Sequence, residues 1–194
     1  GMSVVSTCQV EDALKLELDE VSNDVACAAA PVDPGLADVV SMRAAPYATC
    51  FTFVDGSTRC WGADTYGQLA STATSVASGA SAALTQLEAL ALGRDHGCAV
   101  SGTPKRLRCF GAHDVGQLGV GSASTVTCAS VPCLETPSLL TDLSSATALA
   151  LGDRHTCALL ADMSVRCWGS DLRGQLGDRS SSPATCTPAA GNEP

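Results

Sequence analysis

Aromatic residues and bases are both scarce in this chain. Two Trp, two Tyr and three Phe make up 4% of its 194 residues. That composition suits short strands joined by polar turns rather than a large ligand pocket. Lys and Arg number 11 against 20 Asp and Glu, for a net charge of −9. No basic face is left to neutralise several phosphates, which argues against nucleic acid or an anionic membrane surface as a partner. No stretch approaches the roughly 18 uninterrupted apolar residues that cross a bilayer, so membrane insertion is not expected, and no amino-terminal leader is recognisable. Cys-x2-Cys spacing is missing and the three histidines do not cluster with cysteines, which removes the usual zinc patterns. No glycine loop leads into the Lys and Ser or Thr that phosphate binding uses. No Ser, His and acid constellation or distinguished carboxylate pair stands out either. The expectation is a protein that is not an enzyme, with no cofactor and no metal.

Cysteine, by contrast, is abundant. Eleven in 194 residues exceed what a reducing compartment favours and place the chain outside the cytoplasm, whether secreted, periplasmic or at the cell surface. Three times a cysteine pair brackets a strand-turn-strand pattern. Cys50 and Cys60 run into Trp61-Gly62 and Gly67-Gln68-Leu69; Cys98 and Cys109 into Phe110-Gly111 and Gly116-Gln117-Leu118; Cys157 and Cys167 into Trp168-Gly169 and Gly174-Gln175-Leu176. The first cysteines are 48 and 59 residues apart, the range of sheet-blade repeats. Short alternating strands precede them at Val40-Ser41-Met42, Leu90-Ala91-Leu92 and Leu149-Ala150-Leu151. Asp55-Gly56 reads as a hairpin turn, Asp162-Met163 as a less comfortable one, and the second copy has an extra residue around Gly102-Thr103-Pro104.

Two antiparallel strands joined by a tight turn bring Cys50 to Cys60, Cys98 to Cys109 and Cys157 to Cys167, within disulfide reach. Cys128 and Cys133 could close a small loop, and Cys8 with Cys27 is the default pairing for what remains. Cys186 stands where Cys128 stands in the previous copy, and Gly191 occupies the position of Cys133. Cys186 is therefore the unpaired candidate, open to another cysteine or to a second chain.

Strand, glycine, His-Thr-Cys-Ala-Leu, Val-Arg-Cys-Trp-Gly and Gly-Gln-Leu-Gly, in order through Gly152 to Gly177, resemble the regulator of chromosome condensation repeat. The resemblance covers about residues 39–177, and the cysteine-rich form is similar to versions in exported bacterial proteins. It implies an all-β fold, a β-propeller or partial propeller of three recognisable blades built from disulfide-stapled antiparallel hairpins. The sequence departs from the family where asparagine is usual, with Asp64, His113 and Asp171 in its place. Ala70 replaces a glycine, and Tyr47 is taken to hold the histidine position of the first copy.

The expected organisation is one structural domain. It has an acidic segment 1–38, with eight acids against Lys15, as a degenerate blade or cap; repeats at 39–87 and 88–145; and a third repeat with the tail at 146–194. Propellers close with about four to eight blades, so three copies need completion. The two ends could form a fourth blade, two chains could complete a ring as a homodimer, or the sequence could be part of a longer chain.

His96 and His155, at equivalent positions, read as structural, and His113 as a solvent-facing loop residue. A hydrolase or lyase would need a deep pocket around His113 and Asp114. Arg59, Arg108 and Arg166 are expected to pair with carboxylates, Asp95 and Asp153 being candidates, or else to ring one face for an anion. Trp61, Phe110 and Trp168 read as packing residues. Phe51, Phe53 and Tyr66 are the protein-binding candidates, with Phe51 and Phe53 sharing one sheet face that is either exposed or core. The functional expectation is a protein-binding module using one loop face, with the partner's identity open. The alternatives are spacer repeats of a longer cell-envelope protein or, as propeller-type β-lactamase inhibitors of related design suggest, an inhibitor of a secreted enzyme. The family's nucleotide-exchange role on a nuclear GTPase does not suit this cysteine usage.

Overall fold

The computed structural model describes residues 6–9, 24–27, 31, 33–70, 77–80, 84–121, 126–143 and 145–177. The chain divides into two compact units, Gly1–Ala37 and Asp38–Pro194. In the first, β1 (Ser6–Gln9) pairs antiparallel with β2 (Asp24–Cys27), with Cys8 opposite Val25 and Ser6 opposite Cys27.

The second unit holds three antiparallel sheets, one per repeat. The first has β3 (Val39–Ala45), β4 (Ala48–Phe53), β5 (Thr58–Gly62) and β6 (Ala77–Ala80) in sequential order. The second comprises β7 (Leu87–Leu92), β8 (His96–Ser101), β9 (Arg106–Ala112), β10 (Thr127–Cys128) and β11 (Val131–Leu139), in the order β7-β8-β9-β11-β10. The third runs β12 (Ala146–Leu151), β13 (His155–Leu160), β14 (Val165–Gly169). The first strands β3, β7 and β12 neighbour one another across adjacent sheets. Each carries the same bulge, between Val39 and Ser41, Leu87 and Ala89, and Ala146 and Ala148. These are three blades of a partial propeller.

Strand alternation builds the joints between blades. Cys50, Cys60 and Leu69 of the first blade pack with Leu90, Ala99 and Phe110 of the second. Cys98, Val100 and Leu107 of the second pack with Ala146, Ala158 and Leu160 of the third. Disulfides join Cys50 to Cys60, Cys98 to Cys109 and Cys157 to Cys167 across directly opposed residues whose Cα atoms lie 4.1 Å apart. The first two staples therefore also form the wall of an interblade core. Cys128–Cys133 closes the β10–β11 hairpin. The side chains of Cys8 and Cys27, and all of Cys186, lie outside the described residues.

Two expectations need correction. Tyr47 does not hold the histidine position: Ala48 pairs with Gly62 as His96 pairs with Gly111 and His155 with Gly169. Nor do the three arginines form a described ion pair, although Arg59 and Arg166 lie near enough to Asp55 and Asp162 of their own blades to help lower those carboxyl pKa values. Arg59 lies 4.7 Å over the Phe53 ring, Arg108 donates to Ser101 Oγ at 3.3 Å, and Arg166 donates to the Val165 carbonyl at 3.3 Å. Asp95 is paired instead with its neighbour Arg94 at 3.6 Å. At the uncomfortable turn, Met163 does adopt a left-handed backbone, φ 66°, held by Asp162 Oδ1 accepting from the Ser164 amide and hydroxyl.

Candidate functional site

Residues that recur in register build the frame. The glycine after Trp61, Phe110 or Trp168 has φ of 123°, 101° and 103° at Gly62, Gly111 and Gly169. A Cβ on Gly62 would lie 2.1 Å from the Tyr47 carbonyl oxygen, so only glycine fits. That carbonyl, like those of Asp95 and Arg154, accepts from the amide just past the glycine, in Ala63, Ala112 and Ser170, at 2.8, 2.8 and 2.9 Å. The glutamine of Gly-Gln-Leu is a turn clamp. The Oε1 atoms of Gln68, Gln117 and Gln175 accept the amides of Tyr66, Val115 and Arg173 at 2.8, 3.0 and 2.8 Å. Asp64 and Asp171 each accept the leucine amide five residues on, at 2.8 Å. In the second copy His113 instead bonds the Gly121 carbonyl at 2.6 Å, which ties it to its own loop.

His96 is buried at the joint between the second and third blades. Its Nε2 lies 3.0 Å from Thr156 Oγ1, and that hydroxyl donates to the Gln117 carbonyl at 2.9 Å. With the hydroxyl proton committed, Nε2 is the donor and His96 is the Nε2–H tautomer. The Trp168 indole N–H meets the same carbonyl at 2.9 Å, so one backbone oxygen anchors both arms of the network. Burial pushes the His96 pKa down to about 4. Asp64 goes the other way, up to about 6, because burial disfavours its charge and Glu135 adds repulsion. Neither group faces open solvent in a way that would suit proton transfer to a substrate.

Several of the positions that do not recur gather on one loop face. Tyr47, Asp95 and Arg154 share a backbone role and carry an aromatic, an acid and a base. Asp95, Arg154 and Tyr66 line a cleft of about 220 Å³ together with Arg94, Asp114 and Val131, so turns of all three blades contribute. Arg154 is ion-paired with Asp114, Arg94 with Asp95, and Arg94 also lies 5.5 Å over the Tyr47 ring. Gln117 Nε2 holds the second oxygen of Asp114 at 2.9 Å. Burial raises the Asp95 pKa, the two neighbouring arginines opposing that rise. His113 and Asp114 are thus engaged separately, by Gly121 and by Arg154 and Gln117, and form no acid–base pair.

The three binding candidates do not come together. Tyr66 lines the cleft, whereas Phe53 is buried on the outer sheet face of the first blade and Phe51 stacks edge-on against Trp61, ring centroids 5.3 Å apart. Sequence reasoning missed Arg94, Asp95 and Arg154 as cleft residues. The signal was available, since these positions break the repeat while their neighbours keep it. Among the described residues no group of His, Cys, Asp or Glu could hold a metal ion, and no helix is long and apolar enough to cross a membrane.

The regulator of chromosome condensation (RCC1) repeat profile matches residues 106–159 and 146–175. No curated protein matches the chain. Among solved structures it resembles Prp20p of Saccharomyces cerevisiae, described with its binding to Gsp1p and histones, at 19% identity and a TM-score of 0.56, over 68% of this chain and 30% of that one. Yeast RCC1 (Prp20) bound to Kap60 matches at 18% identity and a TM-score of 0.57, over 68% and 29%. Human WBSCR16 matches at 16% and 0.55, over 81% and 41%. The chain thus spans under half the length of these propellers, and the likeness concerns their fold. Residues 106–175 of the chain carry regulator of chromosome condensation repeats, within three blades of a partial β-propeller.

Proposed function

We propose that this chain is a non-catalytic, extracytoplasmic protein-binding module that engages its partner through the cleft formed by Tyr66, Arg94, Asp95, Asp114 and Arg154. The observation that carries the reading is the division between residues that repeat and residues that do not. Positions fixed across the copies are consumed by turns, staples and joints; several of the varied ones converge on one face from three blades, where a surface for one particular partner can be built without disturbing the frame.

The cleft's size and charge favour a protein over a small molecule. At about 220 Å³ it is below the roughly 300–1,000 Å³ of typical small-ligand pockets. Its two arginines and two aspartates balance, so no net charge is presented to a simple anion. Paired charges beside a tyrosine and a valine suit the polar rim and aromatic anchor of a protein interface. The four stapled cysteine pairs support an oxidising compartment.

The test is site-specific cross-linking with a photoreactive phenylalanine analogue replacing Tyr66, and with the same analogue replacing Met163 on an exposed hairpin turn as control. One discrete protein adduct is expected from position 66 in the secreted and surface fraction of the source cells. Arg154→Glu should abolish it while leaving the circular-dichroism spectrum unchanged. Equal labelling from both positions, or adducts insensitive to Arg154→Glu, would return the chain to the spacer reading.

A further inference from the structure

The fan has two end faces, and each is the mirror of a joint already formed inside the molecule. On β13 the side chains of His155, Cys157 and Leu159 look where those of His96, Cys98 and Val100 look on β8, away from the preceding blade. At the inner joint Val100 and Leu107 are 1% and 0% exposed, whereas their equivalents Leu159 and Val165 are 40% and 56% exposed. At the other end, Met42 pairs with Phe51 as Leu90 pairs with Ala99. Leu90 is 7% exposed and Met42 67%. The third blade thus offers an open leading face, and the first blade a trailing face open at Met42, where Phe53 lies buried beneath Arg59.

The two faces also match each other in polar chemistry. Where the leading blade supplies a histidine, at His96, the trailing blade supplies the hydroxyl of Thr156. Where it supplies Ala48, the trailing blade has Gly97 and no hydroxyl. The open leading face carries His155, and the open trailing face carries Thr49, the register equivalent of Thr156. Trp61 stands where Trp168 stands, with the Gln175 carbonyl available in the role of Gln117's. Among the described residues, the side chains of His155 and Thr49 and the indole N–H of Trp61 have no hydrogen-bond partner. The loop position follows the same rule. Asp114 pairs with Arg154 at the inner joint; its equivalent at the open end is Leu172, 87% exposed, and the matching position is Tyr47.

We propose that the leading face of the third blade docks on the trailing face of the first blade in a second copy of this chain, so that two copies close head to tail into a six-bladed ring. His155 Nε2 donates to Thr49 Oγ1 of the partner copy, the Trp61 indole donates to the Gln175 carbonyl, and Leu172 lies against Tyr47. Six blades fall inside the range of about four to eight that propellers close with. A head-to-tail contact that returns on itself after two copies gives a closed ring rather than a filament. The occupant is a second copy because the complementary groups are this chain's own: the histidine has a hydroxyl waiting at the other end, and the ion-pair positions have both become apolar.

Light scattering on the full, non-reduced chain tests this. The expected mass is twice 19.6 kDa. Leu159→Arg and Met42→Arg change exposed side chains on opposite end faces, so both variants should fold, with unchanged circular dichroism. Each should weaken self-association at least tenfold. Mixing the two should restore a measurable fraction of dimer, since one of the two joints then pairs unaltered faces. A monomeric wild-type protein at 100 µM would overturn the proposal. So would a dimer sensitive to only one of the variants, which would mean like faces pair; an open series of higher masses, which would mean the ring does not close; or a dimer lost with Cys186→Ser, which would place the contact at a disulfide.

Discussion

His96 and Asp64 are buried ionisable groups whose pKa values are displaced in opposite senses, to about 4 and to about 6. The histidine is neutral in the fold, and the unfolded chain binds its proton near 6.5. Its contribution is therefore fully present above pH 6.5 and is lost as pH falls towards 4, by about 3 kcal/mol in all. Asp64 has the opposite sign. It is easier to protonate in the fold than in the unfolded chain, so falling pH through 6 towards 3.8 relieves a buried charge and adds stability. The two windows overlap, and the native protein should show a shallow dependence of stability between pH 6.5 and 4. Asp64→Asn keeps an oxygen for the Leu69 amide and removes the charge. Urea unfolding of that variant should show higher stability at pH 7 and a steeper loss towards pH 4 than the parent; parallel profiles would mean that Asp64 titrates alike in the folded and unfolded chain.

Hairpins are legible because their signals are local: a cysteine pair of fixed spacing, a turn dipeptide and a Trp-Gly whose glycine must pass a carbonyl. The offset of a single residue is not. Tyr47 looked like a histidine substitute because both are rings near the first cysteine, whereas the pairing of Ala48 with Gly62 puts Tyr47 on the loop face. The substitution pattern around it is coherent once the register is known. Gly93 and Gly152 lie under the rings of His96 and His155, where a Cβ would come within 2.3 and 2.0 Å. The first blade has no ring there, and Ala45 takes the glycine's place opposite Ala48. At the other side of that joint Gly97 lies under Phe110, whose ring atoms would be 2.6 Å from an added Cβ. Gly97→Ala should accordingly cost about 1–3 kcal/mol through overpacking, measured by chemical denaturation, and Phe110→Leu in the same chain should recover part of that loss. A cost unchanged by Phe110→Leu would point to backbone conformation instead. The cleft was only half legible: positions that break the repeat mark Arg94 and Arg154 as unusual, but the side chains come from turns of three repeats and no local pattern marks them and Tyr66 as neighbours.

Contacts in a blade array run mainly between nearest neighbours, so stability is close to a sum of blade terms and joint terms. Here the two joints differ in kind. The first is held mainly by apolar packing of Ala48, Cys50 and Leu69 against Leu90 and Phe110, with Arg43 Nε donating to the Leu90 carbonyl at 3.0 Å. The second adds the chain from His96 through Thr156 to the Gln117 carbonyl and the Trp168 indole, whose members are mutually oriented and cannot be replaced by water without opening the joint. Removing the ring with His96→Ala should therefore act on one joint. It empties a buried site and leaves Thr156 short of a donor, and the cost falls on the attachment of the third blade. Amide hydrogen exchange should accelerate at least tenfold along β13 and β14, while β4 and β5, one joint away, keep their protection. The expected pattern follows from where the network lies, not from how much total stability is lost. Acceleration of equal size in all three sheets would show that the blades open as one cooperative unit, and that the polar joint serves the whole array rather than fastening its last member.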